Sequence, residues 1–433
     1  MRADPDGAGD AGALLFVNAV QVVTCAGPPR ARRGHEMGDA GVLPGGAVAV
    51  AEGRIAAVGP TDALERAYPS AQRIDCGGGV LTPGLVDSHT HAIFGASRAA
   101  EQEMRAGGAD YMAIAAAGGG IHASVRDLRA RDEETLYGLA YSRLLRLAAY
   151  GTTTVEVKSG YGLTVDDELK TLRVIARLAA TLPLRIVPTW LGAHEIPLES
   201  RSTPTARAAY VRLLTEEMLP RVVAERLARF ADAFCEPGVF TVDETRAVLT
   251  AARDAGLGVK LHADELSPSG GAELAVALGA TSADHLAAIS PAGIAALAAG
   301  PTVATLLPGT LLFLGKTTQA PARALIDAGA AVAVATDFNP GTSPTPNFPL
   351  ILTLAVSQLR MSVAEALIAA TANGAAALGL ASDVGQIAPG FSADLALFDV
   401  TDLREIPYWY GDRRCRASWV RGRACHPLDR GIA

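Results

Sequence analysis

The sequence predicts an α/β protein, a (β/α)8 TIM-like barrel joined to a small β-sandwich domain built from both chain termini. Three observations predict it. From residue 81 to 336, short apolar runs alternate with long helical patterns, as they do in βαβ units around a parallel sheet. Eight such runs over about 260 residues fit the size of a closed eight-stranded barrel. The two ends of the chain instead share short strand-like segments cut by Gly and Pro, so one small β domain made from both is the economical arrangement.

Taken in order, residues 14–24 read as a strand and residues 46–59 as a hairpin turning at Glu52-Gly53. Residues 73–75 form another short strand, punctuated by the glycines at 77–79. The barrel strands are expected at 81–89, 152–157, 184–191, 230–234, 258–262, 282–285, 302–306 and 331–336, with helices between them at, for example, 135–150, 166–181 and 205–229. Residues 386–400 and 417–421 return to the short-strand pattern. The expected divisions are a disordered extension at 1–12, a composite β-sandwich from 13–80 and 382–433, and a barrel at 81–381.

Composition narrows the function classes. The 433 residues are 49% hydrophobic and 19% charged, enough apolar content for a large core. A formal net charge of −7 and no dense Lys/Arg cluster argue against a nucleic-acid surface. No run approaches the roughly 20 apolar residues that span a bilayer, and the acidic start, with Asp4, Asp6 and Asp10, does not read as a secretory leader. The cysteines, Cys25, Cys76, Cys235, Cys415 and Cys425, are scattered without a CxxC pair, which fits reduced thiols in a cytoplasm.

The expected strand ends concentrate groups that bind metal or move protons. His89 and His91 close the first strand two residues apart, so both side chains share one face. Glu156, Lys158 and Tyr161 follow the second strand, and His194 the third. The fifth gives His262, Asp264 and Glu265, the sixth Asp284 and His285, and the eighth Asp337, Asn339, Gly341 and Thr342. Five of the eight histidines fall at these ends, where barrel chemistry collects. Plainer roles exist for each alone. His194 or His285 can be a hydrogen-bonded barrel residue, Asp337 a helix cap, and Lys158 with Glu156 an internal ion pair. His35 and His426 read as surface residues, and His122 as a loop residue placed for structural reasons.

The order of these segments resembles the amidohydrolase superfamily of metal-dependent barrel hydrolases, beginning with PGLVDSHTH at 83–91. Within it, HTHAIFGASRAAE (89–101), GGGI (118–121), VEVKSGYGL (155–163), LGAHEIP (191–197), HADELSPSGGAELAVALGATSADHL (262–286) and ATDFNPGTSPTPN (335–347) are similar to the imidazolonepropionase family of histidine degradation. One departure is Ala96, where the family often has a glycine.

The resemblance implies that His89, His91, His262 and Asp337 bind one zinc or iron ion. The end of strand four reads Phe234-Cys235-Glu236-Pro237, without the lysine that bridges two metals in other superfamily members, so a single metal is expected. Charge and placement then suggest catalytic roles: Glu265, three residues after His262, as proton shuttle, His285 on the adjacent strand for the water or oxyanion, and Asp337 as ligand and proton acceptor. The substrate contacts the resemblance implies are Arg98, Tyr161, His194, Glu265, Asn339, Gly341 and Thr342, with Arg98 gripping a propionate unless a salt bridge to Glu101 occupies it. The implied substrate is imidazolone propionate, and relatives imply a homodimer. A nucleobase deaminase with the same metal site is the alternative, weakened by the Arg98 and Tyr161 segments. A non-catalytic barrel scaffold is a third, weakened by the presence of all four ligands.

Overall fold

The computed structural model describes residues 12–109, 113–114 and 117–426. The expected extension at 1–12 therefore lies, apart from Gly12, outside the described residues.

The N-terminal part contributes β1 (Leu14–Val17), β2 (Gln21–Val23), β3 (Val42–Pro44), β4 (Gly46–Ala51), β5 (Arg54–Pro60), β6 (Gln72–Asp75) and β7 (Val80–Pro83). The stretch at 14–24, expected as one strand, is two, because Asn18 adopts a positive φ of 58° and breaks the extended run. The hairpin at 46–59 turns as expected: Ala51 faces Arg54, and Glu52 and Gly53 take φ of 51° and 75°. Two consecutive left-handed residues are what a tight hairpin turn requires.

The barrel strands are β8 (Leu85–Asp87), β9 (Thr152–Lys158), β10 (Arg185–Ala193), β11 (Phe230–Cys235), β12 (Gly258–Ala263), β13 (Ser282–His285), β14 (Val303–Leu306) and β15 (Val332–Val334). They pair in parallel in that order. The amide of Asp337 donates to His89 O at 3.0 Å and that of His91 to Phe338 O at 2.9 Å, joining the last strand end to the first. Nearly every strand residue is buried, as expected of strands covered on both faces.

Residues 81–89, expected as one barrel strand, divide between two sheets. Val80–Pro83 pairs with β16 (Leu395–Phe398) of the composite domain, and the chain enters the barrel only after Gly84. With β17 (Cys415–Val420) and β18 (Arg423–His426), β16 completes a six-stranded sheet ordered β18-β17-β16-β7-β2-β3, drawn from both termini. The other sheet is β5-β4-β1-β6. Phe16, Val48 and Val50 of this sheet pack on Val22, Leu81, Leu395, Leu397 and Trp419 of the larger one, giving the sandwich its core. The alternate residues Val80, Ala396 and Phe398 face the barrel core instead.

Helix ends follow their caps. The helix expected at 135–150 is Glu133–Ala148, because the Asp132 side chain accepts the Thr135 amide and starts it early. The helix expected through residue 229 ends at Ala224, with Arg226 at φ 54° stopping it. Its middle, Leu214–Met218, widens into a π turn just before Pro220, which has no N–H to continue the ordinary ladder.

Candidate active site

The C-terminal ends of β8, β12 and the segment after β15 bring four potential ligands to one point. His89 Nε2 lies 3.2 Å from His91 Nε2, and His262 Nε2 lies 3.4 Å from His91 Nε2. Asp337 Oδ1 is 3.7 Å from His89 Nε2 and 3.6 Å from His91 Nε2, while its Oδ2 accepts the Thr310 hydroxyl at 2.5 Å. All four residues are buried. Burial and neighbouring positive groups hold His89 and His91 well below the ordinary imidazole range, so both are neutral. Burial pushes Asp337 up to about 6.

The outer nitrogens explain which lone pairs face inward. His89 Nδ1 is 2.7 Å from Asp284 Oδ2, and His262 Nδ1 is 3.0 Å from Asp232 Oδ2. A carboxylate there fixes the proton on Nδ1 and leaves Nε2 as an acceptor. The three imidazoles and the Asp337 carboxylate thus converge on one buried point with lone pairs turned inward, an arrangement that a cation between them satisfies. The donor set therefore fits a metal ion of the kind that imidazole and carboxylate bind.

Beneath this point lies a buried network of charge. Lys158 Nζ contacts Asp232 at 2.7 Å and Glu156 at 2.8 Å, and Lys260 Nζ contacts Glu156 at 2.8 Å and Asp284 at 3.5 Å. Burial alone would lower Lys158, but Asp232, Glu156 and Asp284 hold it well above its ordinary value. His89, Glu156 and Asp284 also come close enough to hold a cation; the two ammonium groups already fill that role. The Lys158–Glu156 ion pair expected as the plainer role is thus present, inside a larger network.

Around the mouth, three strand ends carry left-handed non-glycine residues: Asp264 at φ 48°, His285 at 78° and Asp337 at 51°. Such backbone costs about 1–3 kcal/mol per residue and persists where the surroundings enforce it. Asp264 is enforced by its own carboxylate, which accepts the amides of Gly270, Gly271 and Ala272. The next residue, Glu265, stands 3.5 Å from His285 Nε2. Burial, then Asp337 and Glu236, pushes Glu265 up to about 8. His194 stacks on His91 with ring centroids 4.9 Å apart, and its Nδ1 lies 2.9 Å from Gly160 O. Glu168 accepts the amides of Gly160, Gly162 and Leu163, shaping the loop that carries buried Tyr161.

A model of the amidohydrolase family matches residues 80–425, and one of the imidazolonepropionase-like composite domain of bacteria matches residues 46–71. The chain is 50% identical over 402 residues to an imidazolonepropionase from Symbiobacterium thermophilum, covering 92% of this chain and 93% of that protein. The chain belongs to the imidazolonepropionase family. Another member, from Geobacillus kaustophilus, is 48% identical over 92% of this chain and 94% of its own. Among solved structures, an adenosine deaminase from Xanthomonas campestris with bound zinc superposes with a TM-score of 0.70 at 21% identity, covering 96% of this chain and 94% of its own. A triazine hydrolase from Arthobacter aurescens does so with a TM-score of 0.71 at 19% identity, covering 96% of each. At that identity the likeness speaks for the fold.

Against the family's expected contacts, the structure adds detail. Arg98 makes the salt bridge to Glu101, through Nε at 2.9 Å and Nη2 at 2.7 Å. Asn339 is saturated within its own turn: Nδ2 donates to Asp337 O and Thr342 Oγ1, and Oδ1 accepts the amides of Gly341 and Thr342. Its side chain shapes that turn, and a direct ligand contact requires one of these bonds to be exchanged. His122, expected in a loop, lies in the helix Ile121–Arg129. His35 is exposed as expected, whereas His426 is half-buried. All five cysteines are buried and free, and burial raises Cys25 to about 11 and Cys76 and Cys415 to about 12, so none is primed as a nucleophile. Sequence reading gave no role to Asp232, Lys260, Thr310 or Arg105. The available signal was a charged residue inside an otherwise apolar strand, as in Phe230–Cys235 and Gly258–Ala263.

Proposed function

We propose that this chain hydrolyses the ring C–N bond of 4-imidazolone-5-propanoate to give N-formimidoyl-L-glutamate, a step of histidine degradation. The observation that carries the reading is 50% identity to an imidazolonepropionase over 92% of the chain, and the converging side chains described above support it. His89, His91, His262 and Asp337 would hold one zinc or iron ion. When bound, that ion supplies Lewis-acid activation of water for attack on a carbonyl. The absence of lysine at the end of β11, and the engagement of Lys158 with Asp232 and Glu156, support a single metal.

The chain's own residues then divide the remaining work. Asp337 accepts the proton of the attacking water on a carboxylate oxygen. Glu265, raised to about 8, carries a proton at neutral pH and delivers it to the departing ring nitrogen. His285 orients the water or steadies charge on the carbonyl oxygen. His194, with Nδ1 turned to Gly160, offers Nε2 as an acceptor for a ring N–H. Tyr161, whose hydroxyl burial keeps protonated, and Arg98 receive the propionate. Thr342, Gly341 and Asn339 form the facing turn.

Metal analysis of the purified protein together with an imidazolone-propionate assay tests this. About one zinc or iron per chain with turnover is expected, and rapid deamination of a nucleobase without that turnover would overturn it. We read the protein as a cytoplasmic homodimer; its buried free thiols are consistent with a reducing compartment, and sedimentation measures the assembly.

A further inference from the structure

The charge on the propionate side of this site does not balance on Arg98 alone. Glu101 takes the Nε and Nη2 edge of Arg98 in the bidentate fork by which a guanidinium holds a carboxylate. Glu101 is buried, and its Oε1 also accepts the Gly120 amide at 3.0 Å. The Arg98–Glu101 pair is therefore neutral, and the edge best suited to a second carboxylate is occupied.

Arg105 lies farther along the same helix, Ala99–Ala106. Its Nη2 stands 3.7 Å from Glu101 Oε2, and its Nη1 makes a long 3.3 Å bond to Gly341 O. The first is ion-pair range without a hydrogen bond, so among the described residues most of the donor capacity of Arg105 is unspent. Gly341 joins the two arginines: a Cβ placed there would stand 2.1 Å from Arg98 Nη1. Two guanidinium groups and one carboxylate thus meet at the Gly341 turn, leaving one unit of positive charge at the place where the propionate is expected.

We propose that Arg105 is a second carboxylate-binding residue of this site, supplying the positive charge that Glu101 cancels on Arg98, and that Glu101 is a positioning residue holding Arg98 in register with Gly341. This deepens, and rests on, the imidazolone-propionate reading. The ligand class is a five-membered nitrogen ring bearing one short-chain carboxylate.

The test is calorimetric titration of the metal-loaded protein with imidazole propionate, a stable probe, and with its uncharged propionamide. Losing one charge-assisted contact should weaken propionate binding by Arg105→Met about tenfold or more, while propionamide binding and metal content stay at wild-type levels. Arg105→Lys should recover part of the loss. In turnover, KM should rise by the same factor with kcat nearly constant. Unchanged propionate affinity in Arg105→Met overturns the proposal. An equal loss for both probes also overturns it, because that marks a packing role. Should Arg105→Met fold poorly, Arg105→Gln at the same partly exposed position carries the comparison. A wild-type protein that binds imidazole propionate through Arg105 yet does not open imidazolone propionate overturns the reaction assigned above and leaves the Arg105 assignment standing.

Discussion

At the residue scale, Glu265 and Asp284 illustrate two ways in which a carboxylate serves one site. Glu265 is aimed at His285 by the left-handed turn at Asp264, and among the described residues no Lys or Arg stands within ion-pair distance of it. If it is the proton shuttle, Glu265→Gln should keep its metal and lose about 10²- to 10⁴-fold in kcat. A near-normal rate would move the role to His285 or Asp337. Asp284, in contrast, faces away from the mouth and fixes the Nδ1 proton of His89. Asp284→Asn leaves Lys158 and Lys260 with less compensation and should weaken metal binding about 10- to 100-fold, read by competition with a chelator. Arg98→Met should raise KM strongly at constant metal content, since it removes one arginine and strands buried Glu101 beside the other. Unaltered kinetics would rule out the clamp. The four candidate ligands that the structure brings to one point were legible in the sequence because the family resemblance singles them out and each sits at a strand end. Asp232, Lys260 and Arg105 were not, because their meaning lies in partners on other strands or loops, as with Lys158 and Asp232, 74 residues apart.

At the scale of elements, the apolar periodicity located all eight barrel strands, and it failed where the partner sheet changes within one run. Val80–Pro83 and Leu85–Asp87 are equally apolar and equally buried, so hydrophobicity carries no mark of the switch at Gly84. Helix ends were misjudged for a local reason, since caps such as Asp132 and stops such as Arg226 act through backbone geometry. The helix Ile121–Arg129 offers a prediction of its own. Burial, then Arg201 and Arg126, lowers His122 to about 4, and its Nε2 is buried without a hydrogen-bond partner among the described residues. A histidine whose folded pKa is depressed contributes stability above its unfolded value of about 6.5, and that stability is lost as pH falls toward the folded value. The thermal midpoint of the wild type should therefore drop between pH 7 and pH 4.5 by more than that of His122→Gln. Parallel pH profiles for the two proteins would place the acid sensitivity elsewhere.

For the whole molecule, Gly84 is the joint through which the composite domain and the barrel act on each other. Its amide donates to Asp394 O of the composite domain at 2.9 Å, and the next amide, of Leu85, donates to Gly151 O at the start of the second barrel strand. A Cβ at residue 84 would stand 2.1 Å from Thr153 Oγ1 and 2.3 Å from its Cγ2. Glycine is needed there for space, and Thr153 is buried within a packed strand. Gly84→Ala should therefore cost about 1–3 kcal/mol through overpacking, lowering the thermal midpoint. Because His89 and His91 continue the same segment, the displacement should also reduce the metal retained on purification. Thr153 Oγ1 is buried with no hydrogen-bond partner among the described residues, so its removal forfeits little polar interaction. Thr153→Ala should accordingly restore both the midpoint and the metal content of Gly84→Ala. If the double variant regains neither, the contact at Gly84 does not couple the two parts, and the position of His89 and His91 is set from within the barrel alone.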